Sequence, residues 1–257
     1  MTSKKTPIPQ VISRLVYQTS DDYGNIVVLD YPQYRVLSFD STYEQSGYFV
    51  ERPFALVHEY TKIILLALGF ITPKHITLLG LGGGSLLRSL HFYLKNCEFH
   101  VVELRQKVFD VAKNYFAIPT GKRVTFSIDD AVSQLKASKT CSTDIIFSDI
   151  YDASDMSSIQ VQHYFLVECE RILSKQGWLV INYHKLPDKH SEFFKVLHKL
   201  FSSIMVCPGE YNSHILFAGK AHFFDTEKAE KEMNNLENFL GGEFKPLLEK
   251  LKTLNAE

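Results

Sequence analysis

The residues with the clearest chemical potential are glycines and acids that follow predicted β-strands. Residues 78–85 (LLGLGGGS) join a predicted strand to a predicted helix. Glycine at such a junction permits a tight turn and lets a ligand approach the backbone closely. Glu103 ends the next predicted strand, where a carboxylate can accept two hydrogen bonds from a ribose diol. The alternative is a tight turn and a solvated glutamate. The residues predicted to form a nucleoside site are Gly80, Gly82, Gly84 and Glu103.

A second acidic position follows the third predicted strand, at Asp129 and Asp130. An acid there can accept a hydrogen bond from an adenine amino group. Aspartate before a helix is equally typical of an N-cap, so both interpretations of Asp130 stay open. A dinucleotide fingerprint would carry Gly or Ala where this chain has Ser85, which disfavours a nicotinamide oxidoreductase. The pattern favours an adenosyl-sulfonium cofactor.

Two further acids, Asp149 and Asp152, follow the fourth predicted strand. Ligands of open α/β sheets bind beyond the carboxyl ends of the strands, so these acids are predicted to border the cofactor cleft. A carboxylate there can hold an amine and accept its proton, and two neighbouring carboxylates shift each other's pKa values. The alternative is a pair of solvated loop caps.

The elements that must position these residues alternate between short apolar runs and amphipathic segments. This alternation predicts an α/β fold with a parallel sheet, helices on both faces and an antiparallel last strand at the edge. Predicted helices begin near Ser85, Gln106, Ala131, Ile159 and Ser191. The predicted strands are Ile76–Leu79, Glu98–Val102, Val124–Ile128, Asp144–Ser148, Leu179–Asn182 and His214–Ala218.

The two ends of the chain have different patterns. Two β-rich runs near the N-terminus predict a small antiparallel sheet, and Pro53 and Gly69 are predicted to flank a helix over residues 54–68. The charged C-terminal region predicts one or two amphipathic helices, interpreted as a solvated tail rather than a docking element. The predicted divisions are a tail and small β domain (1–52), a Rossmann-like catalytic domain (53–222) and a C-terminal helical tail (223–257).

Composition narrows the class of protein. The chain has 257 residues, 45% of them hydrophobic, which is enough for a sizeable core. With 28 basic and 29 acidic residues, its charge supports neither a nucleic-acid partner nor an anionic membrane. The ten histidines show no metal-ligand spacing, and the four cysteines form no CxxC pair. The N-terminus lacks the apolar core of a signal peptide, so we expect a metal-free cytoplasmic protein with reduced thiols.

The ordered motifs resemble the spermidine synthase (polyamine aminopropyltransferase) family, in particular its bacterial spermidine-synthase-like branch. The resemblance extends from about Tyr23 to Lys220. It implies a small N-terminal β domain, a class I S-adenosylmethionine-dependent methyltransferase-type sheet and a homodimer. It also implies decarboxylated S-adenosylmethionine as donor and a small-molecule amine as acceptor. The motifs that carry it are His58-Glu59, Gly80–Gly84, Glu103, Asp129-Asp130, residues 148–152, Pro208 and Tyr211.

The resemblance also implies roles for individual residues. Glu103 would hold the ribose, Asp130 the adenine, and Asp149 would accept the amine proton. The implied catalytic residues are Asp149 and Asp152. The implied donor-binding residues are Gln45, His58, Gly80, Gly82, Gly84, Glu103, Asp129 and Asp130. The implied acceptor-binding residues are Asp152, Tyr151 and Tyr211.

The chain departs from the family pattern mainly at the amine end. The family's loop aspartate is Gly83 here, and the tyrosine before the His-Glu pair is Val57. Residues 152–156 replace a proline-glycine gate, Asn182 replaces a glutamine and Glu210 replaces a tyrosine. Two alternatives therefore stay open. The chain could be an S-adenosylmethionine-dependent methyltransferase, although it has Leu78 where such enzymes often place an acid, or a nonenzymatic adenosyl-ligand-binding homologue.

Overall fold

The structure, a computed structural model, describes residues 13–39, 44–151, 157–210, 213–221 and 225–255. Two predicted site residues, Asp152 and Tyr211, lie outside these ranges. Gln45 lies in a described strand, but its side chain is not among the described groups.

The N-terminal region forms the predicted antiparallel sheet. Its four strands follow one another in space as they do in the chain. Apolar side chains on one face, including Ile26, Val28 and Leu37, are buried against Val108 and Val111 of the larger domain. This packing holds the sheet over the end of the larger domain. The strands are β1 (Arg14–Asp21), β2 (Gly24–Asp30), β3 (Tyr34–Ser38) and β4 (Glu44–Phe49).

A second sheet of eight strands forms the larger domain. Its order is β12-β10-β11-β9-β8-β5-β6-β7. Strands β5 to β9 run parallel to one another, whereas β11 pairs antiparallel with both β9 and β10. This arrangement confirms the predicted class I methyltransferase-type sheet. The strands are β5 (His75–Leu79), β6 (Glu98–Glu103), β7 (Val124–Ile128), β8 (Thr143–Ser148), β9 (Leu173–Tyr183), β10 (Ser203–Pro208), β11 (His214–Gly219) and β12 (Lys252–Thr253).

Helices cover both faces of this sheet, as predicted. Alternate residues of β5 show why: Ile76 and Leu78 enter the core on one face, and Leu79 enters the core on the other. Among the described helices, none has the length and apolar character needed to cross a membrane. Two short 3-10 helices span Leu65–Gly69 and Ser158–Val161. The α-helices are α1 (Glu59–Ile64), α2 (Ser85–Tyr93), α3 (Gln106–Tyr115), α4 (Ala131–Ala137), α5 (His163–Ile172), α6 (Glu192–Leu200), α7 (Thr226–Leu240) and α8 (Lys245–Glu249).

The helix predicted over residues 54–68 begins later than the sequence pattern indicates. Its first residue is Glu59, and His58 before it is extended (φ −93°, ψ 140°). The carbonyls of Pro53 and Phe54 accept hydrogen bonds from Arg88 Nε (2.9 Å) and Ser89 Oγ (2.6 Å). Side chains of α2 thus satisfy these two carbonyls, which need no helical hydrogen bonds.

Two predictions about the C-terminal part of the chain are wrong. Strand β11 is antiparallel but is not at the edge, because the unpredicted strand β10 pairs with its outer side. Helix α7 is not a solvated tail: it packs on the 3-10 helix at Leu65–Gly69. Its buried residues repeat at the 3.6-residue period of a core-facing stripe. They are Ala229, Met233, Leu236 and Leu240.

Candidate active site

A cavity of about 1320 Å³ lies at the carboxyl ends of the parallel strands, beneath the N-terminal sheet. Strand β4 contributes Ser46 to its wall, α1 contributes Tyr60, and the loop after β5 contributes Gly80 and Gly82. Ligands of open α/β sheets bind at this edge, so the topology alone makes the cavity the candidate site. Its volume is sufficient for a nucleoside and a second small molecule.

The loop after β5 adopts backbone conformations that favour glycine. Gly80, Gly82 and Gly84 have φ values of +96°, +52° and +70°, in the left-handed region. A Cβ atom on Gly80 would lie 2.3 Å from the Asp149 carbonyl oxygen. Gly84 serves as the N-cap of α2. The loop therefore turns sharply into α2 and brings its backbone against the strand that carries Asp149.

Glu103, at the end of β6, is buried beside this loop. Its Oε2 accepts a hydrogen bond from the Leu81 N–H (3.0 Å), and its Oε1 accepts one from the Arg105 N–H (2.9 Å). Burial raises the pKa of Glu103, and these backbone hydrogen bonds oppose that rise. Each carboxylate oxygen can accept a second hydrogen bond, so the geometry fits the predicted ribose contact.

The two acids after β7 have different local partners. Asp130 is the N-cap of α4, and its Oδ1 accepts hydrogen bonds from the Val132 and Ser133 N–H groups (both 3.0 Å). Asp129 accepts one from Gln134 Nε2 (2.8 Å). Both acids line the cavity. The capping interpretation of Asp130 is therefore correct, and its Oδ2, which the cap does not use, leaves the adenine contact as a prediction.

Asp149 lies directly after β8, partly buried in the cavity wall. Its Oδ1 accepts a hydrogen bond from Asn182 Nδ2 (2.9 Å), and its Oδ2 accepts one from the Tyr60 hydroxyl (3.3 Å). Burial raises the pKa of Asp149, whereas the two hydrogen bonds oppose the rise. Each partner fixes one carboxylate oxygen. The group is thus oriented at the cavity wall, where it can act as a proton acceptor.

Tyr60 is a residue of this site that the sequence analysis missed. The family pattern directed attention to the position before the His58-Glu59 pair, where Val57 instead packs against Gly47 of β4. Tyr60 follows the pair and directs its hydroxyl to Asp149 from the first turn of α1. Burial and the nearby Asp149 carboxylate raise the pKa of Tyr60 well above its usual value, so the hydroxyl stays protonated and donates.

His58 lines the same cavity and carries an unpartnered polar atom. Its Nε2 is buried and has no hydrogen-bond partner among the described residues. Burial lowers the pKa of His58, and Glu44 opposes the change. The imidazole stacks on Tyr60 with ring centroids 5.9 Å apart. A buried nitrogen without a partner costs free energy, so it indicates a position where a bound molecule would supply the missing hydrogen bond.

Tyr151 and Asn182 connect β9 to Asp149. The Tyr151 hydroxyl donates to the Asn182 carbonyl oxygen (3.1 Å), and Asn182 Oδ1 accepts from Ser213 Oγ (3.1 Å). Tyr151 also lies against His184, with ring centroids 4.6 Å apart. Asn182 therefore links Asp149 to β11. Asn182, in place of the family glutamine, thus keeps an amide donor at the Asp149 carboxylate.

The cavity wall is strongly acidic. Its one arginine, Arg105, is paired with Asp21 (2.8 Å), and no lysine occurs among the described lining residues. Such a wall raises the local concentration of cations and favours sulfonium or ammonium ligands over anions. The seven described lining acids are Glu44, Glu59, Glu103, Asp129, Asp130, Asp149 and Glu210.

Comparisons with known proteins agree with this architecture. The sequence model for the spermine/spermidine synthase domain matches residues 57–228. The polyamine aminopropyltransferase of Neisseria meningitidis serogroup A is 27% identical over 228 residues, covering 86% of each chain. A probable spermidine synthase from Corynebacterium glutamicum superposes with a TM-score of 0.74 at 21% identity, over 93% of this chain and 88% of that one. A spermidine synthase in complex with the transition-state analogue AdoDATO gives 0.70 at 16% identity, over 92% and 84%. The chain therefore belongs to the spermine/spermidine synthase family, as its motifs predict.

Proposed function

We propose that this chain is a transferase that moves an aminopropyl group from decarboxylated S-adenosylmethionine to an amine acceptor. The observation that carries the proposal is the Asp149 carboxylate, which Tyr60 and Asn182 orient at the wall of an acidic cavity. Family membership supports the reaction class. The structural neighbour in complex with a transition-state analogue has the same fold.

The reaction is a displacement at a carbon next to a sulfonium. The amine nitrogen forms a bond to that carbon, the carbon–sulfur bond breaks, and its electron pair stays on sulfur in the neutral thioether product. The nitrogen must be unprotonated to attack and must lose a proton afterwards. Asp149 accepts that proton, and its fixed orientation places the amine for in-line attack.

The nucleoside end of the donor belongs at the β6 and β7 side of the cavity. There Glu103 offers carboxylate oxygens to the ribose diol, and Asp130 offers Oδ2 to the adenine. Asp129 and the backbone of Gly80 and Gly82 border the same space. The unpartnered Nε2 of His58 supports its assignment to the donor side. Gln45 and Gly84 complete the proposed donor-binding set, and Asp152, Tyr151 and Tyr211 complete the acceptor side.

Methyl transfer from S-adenosylmethionine is the alternative. Its donor carries an additional carboxylate, which an acidic wall disfavours. Leu78, where methyltransferases often have an acid for the methionyl amine, is buried in the core. Calorimetric titration with both donors separates the two functions. We expect tighter binding of the decarboxylated donor, and tighter binding of S-adenosylmethionine would make methyl transfer the better account.

Cellular setting, assembly and domain division form a second part of the proposal. All four cysteines are free thiols, and three are buried, which supports a reducing, cytoplasmic location. The family resemblance supports a homodimer. Light scattering would measure the mass of the assembly in solution. A monomer at micromolar concentration would contradict that assembly. The proposed divisions, residues 1–52, 53–222 and 223–257, separate the two sheets, but α7 and β12 join the third segment to the catalytic core.

A further inference from the structure

The C-terminal segment contacts a residue of the cavity wall although most of it lies beyond the family match. That match ends at residue 228, within α7. Further along the chain, Lys250 places its Nζ 3.3 Å from Oε1 of Glu59, a cavity-lining acid. The ion pair therefore joins a residue outside the shared domain to the wall of the candidate active site.

The chain on both sides of Lys250 is fixed in place. Before it, Phe244 and Leu247 are buried in the core beside α7. After it, β12 pairs antiparallel with β10, and the Leu254 N–H donates to the Ile204 carbonyl oxygen (2.8 Å). Because packing and strand pairing restrain the backbone, the position of the Lys250 ammonium is determined by the fold rather than by a mobile terminus.

Glu59 lies at the end of the cavity opposite Glu103, Asp129 and Asp130, the acids proposed to bind the nucleoside. Helix α1 packs on β9 and β11, and Glu59 Oε2 accepts a hydrogen bond from the Glu210 N–H (2.7 Å) in the turn before β11. Glu103 ends β6, on the other side of β8 and Asp149. Neighbouring strands lie about 4.8 Å apart, so the β11 end lies about 10 Å from Asp149. That span suits a flexible molecule with two amines.

We propose that Lys250 is a specificity-determining residue for the amine acceptor. The inference rests on the proposed function, in which Asp149 receives the reacting amine. The second ammonium of a diamine would then lie beside Glu59 and Glu210, where the Lys250 ammonium already neutralises one negative charge. Lys250 competes with that second ammonium for Glu59 and repels it. Lys250 therefore lowers the preference of the chain for diamines over monoamines of equal length.

The size of the effect follows from partial exposure. The Lys250 side chain is 48% exposed and that of Glu59 is 20% exposed. Solvent screens such a pair, and exposed pairs contribute about 0.2–1 kcal/mol, so removing Lys250 should change diamine affinity about 1.4- to fivefold. A monoamine has no charge at this end, so its affinity should stay the same.

The test is calorimetric binding of 1,4-diaminobutane and butylamine to protein saturated with methylthioadenosine. Lys250→Met should tighten diamine binding about 1.4- to fivefold and leave butylamine binding unchanged. Lys252→Met is the matched control, because Lys252 is exposed in the same segment and its strand pairing uses only the backbone. In a Glu59→Gln background, Lys250→Met should give a smaller gain, because the competition for Glu59 is already absent.

Each outcome separates this inference from the proposed function. An unchanged diamine-to-monoamine affinity ratio in Lys250→Met overturns the role of Lys250 while leaving aminopropyl transfer intact. A gain of undiminished size in the Glu59→Gln background also overturns it. Failure of every variant to bind either amine, with methylthioadenosine still bound, contradicts the proposed acceptor class and the inference together.

Discussion

Replacing Tyr60 with phenylalanine tests how the site controls its base. The substitution removes the hydroxyl that donates to Asp149 Oδ2 at 3.3 Å and leaves the Asn182 hydrogen bond to Oδ1 in place. Hydrogen bonds to charged groups contribute about 1.5–3 kcal/mol, and the long distance indicates the lower end of that range. Since about 1.4 kcal/mol equals a tenfold change in a protonation equilibrium, the effect is readily measurable.

The sign of the effect follows from the charged form of Asp149. The Tyr60 hydroxyl stabilises the ionised carboxylate, so its loss raises the pKa of Asp149 further. The base must be ionised to accept a proton. The acidic limb of the pH profile of kcat/KM should therefore move upward by about one pH unit. Activity well above that limb should change much less.

The assay is methylthioadenosine release measured across pH for wild type and variant. Tyr93→Phe is the matched control, because it also removes a tyrosine–carboxylate hydrogen bond, to Glu232 Oε1 (2.8 Å), far from the cavity wall. Its profile should match that of wild type. An unshifted acidic limb in Tyr60→Phe, with normal folding, would refute the assignment of Tyr60 as the residue that positions and stabilises the Asp149 carboxylate.

Three further perturbations test other parts of the account. Glu103→Ala should weaken methylthioadenosine binding at least tenfold in calorimetry, because it removes the ribose acceptor and the anchor of the glycine loop; equal affinity would reject the ribose role. Leu236→Ala should lower the free energy of unfolding by about 2–5 kcal/mol in urea titration, since the residue is fully buried, whereas a loss below 0.5 kcal/mol would indicate a solvated α7. A hydrogen bond from Arg35 lowers the pKa of Asp30. Asp30 therefore stabilises the fold at pH values above its unfolded-state pKa of about 3.8. This contribution is lost as the pH falls through the lower pKa of the folded state. Asp30→Asn should thus destabilise the protein by about 1 kcal/mol at pH 7 and by less at pH 3; an equal loss at both pH values would contradict the linkage.

The local features of the site could be predicted because short sequence patterns encode them. Glycines with positive φ and an acid at the next strand end are properties of one strand–turn–helix unit and its neighbour, and both are where the sequence predicts. The order of apolar runs likewise predicts the parallel part of the sheet. These features depend on residues close together in the chain.

The partners of Asp149 could not be predicted because they are distant in sequence. Tyr60 and Asn182 meet Asp149 only once α1 packs on the sheet and β9 pairs beside β8 in one register. The late start of α1 has a similar origin, since Arg88 and Ser89 of α2 satisfy the carbonyls that precede it. Tertiary contacts override helix signals in such segments.

The packing of the C-terminal segment also could not be predicted from local sequence patterns. The charged residues of α7 predict solvation, but its apolar stripe, which includes Met233 and Leu236, meets a complementary surface beside the 3-10 helix. Gly69 allows this close approach, because a Cβ there would lie 3.0 Å from Ala229. Amphipathicity shows that a helix has an apolar face, and only the fold shows what covers that face.

Product identification tests the central claim most directly. Purified protein is incubated with decarboxylated S-adenosylmethionine and 1,4-diaminobutane, and the products are analysed by mass spectrometry, with Asp149→Asn as the control. The account predicts methylthioadenosine and a triamine in equal amounts from wild type, and a rate at least 100-fold lower from Asp149→Asn, as is typical when a general base is lost. Wild-type protein that forms neither product from this or any other primary amine, or Asp149→Asn that turns over at the wild-type rate, would contradict the account.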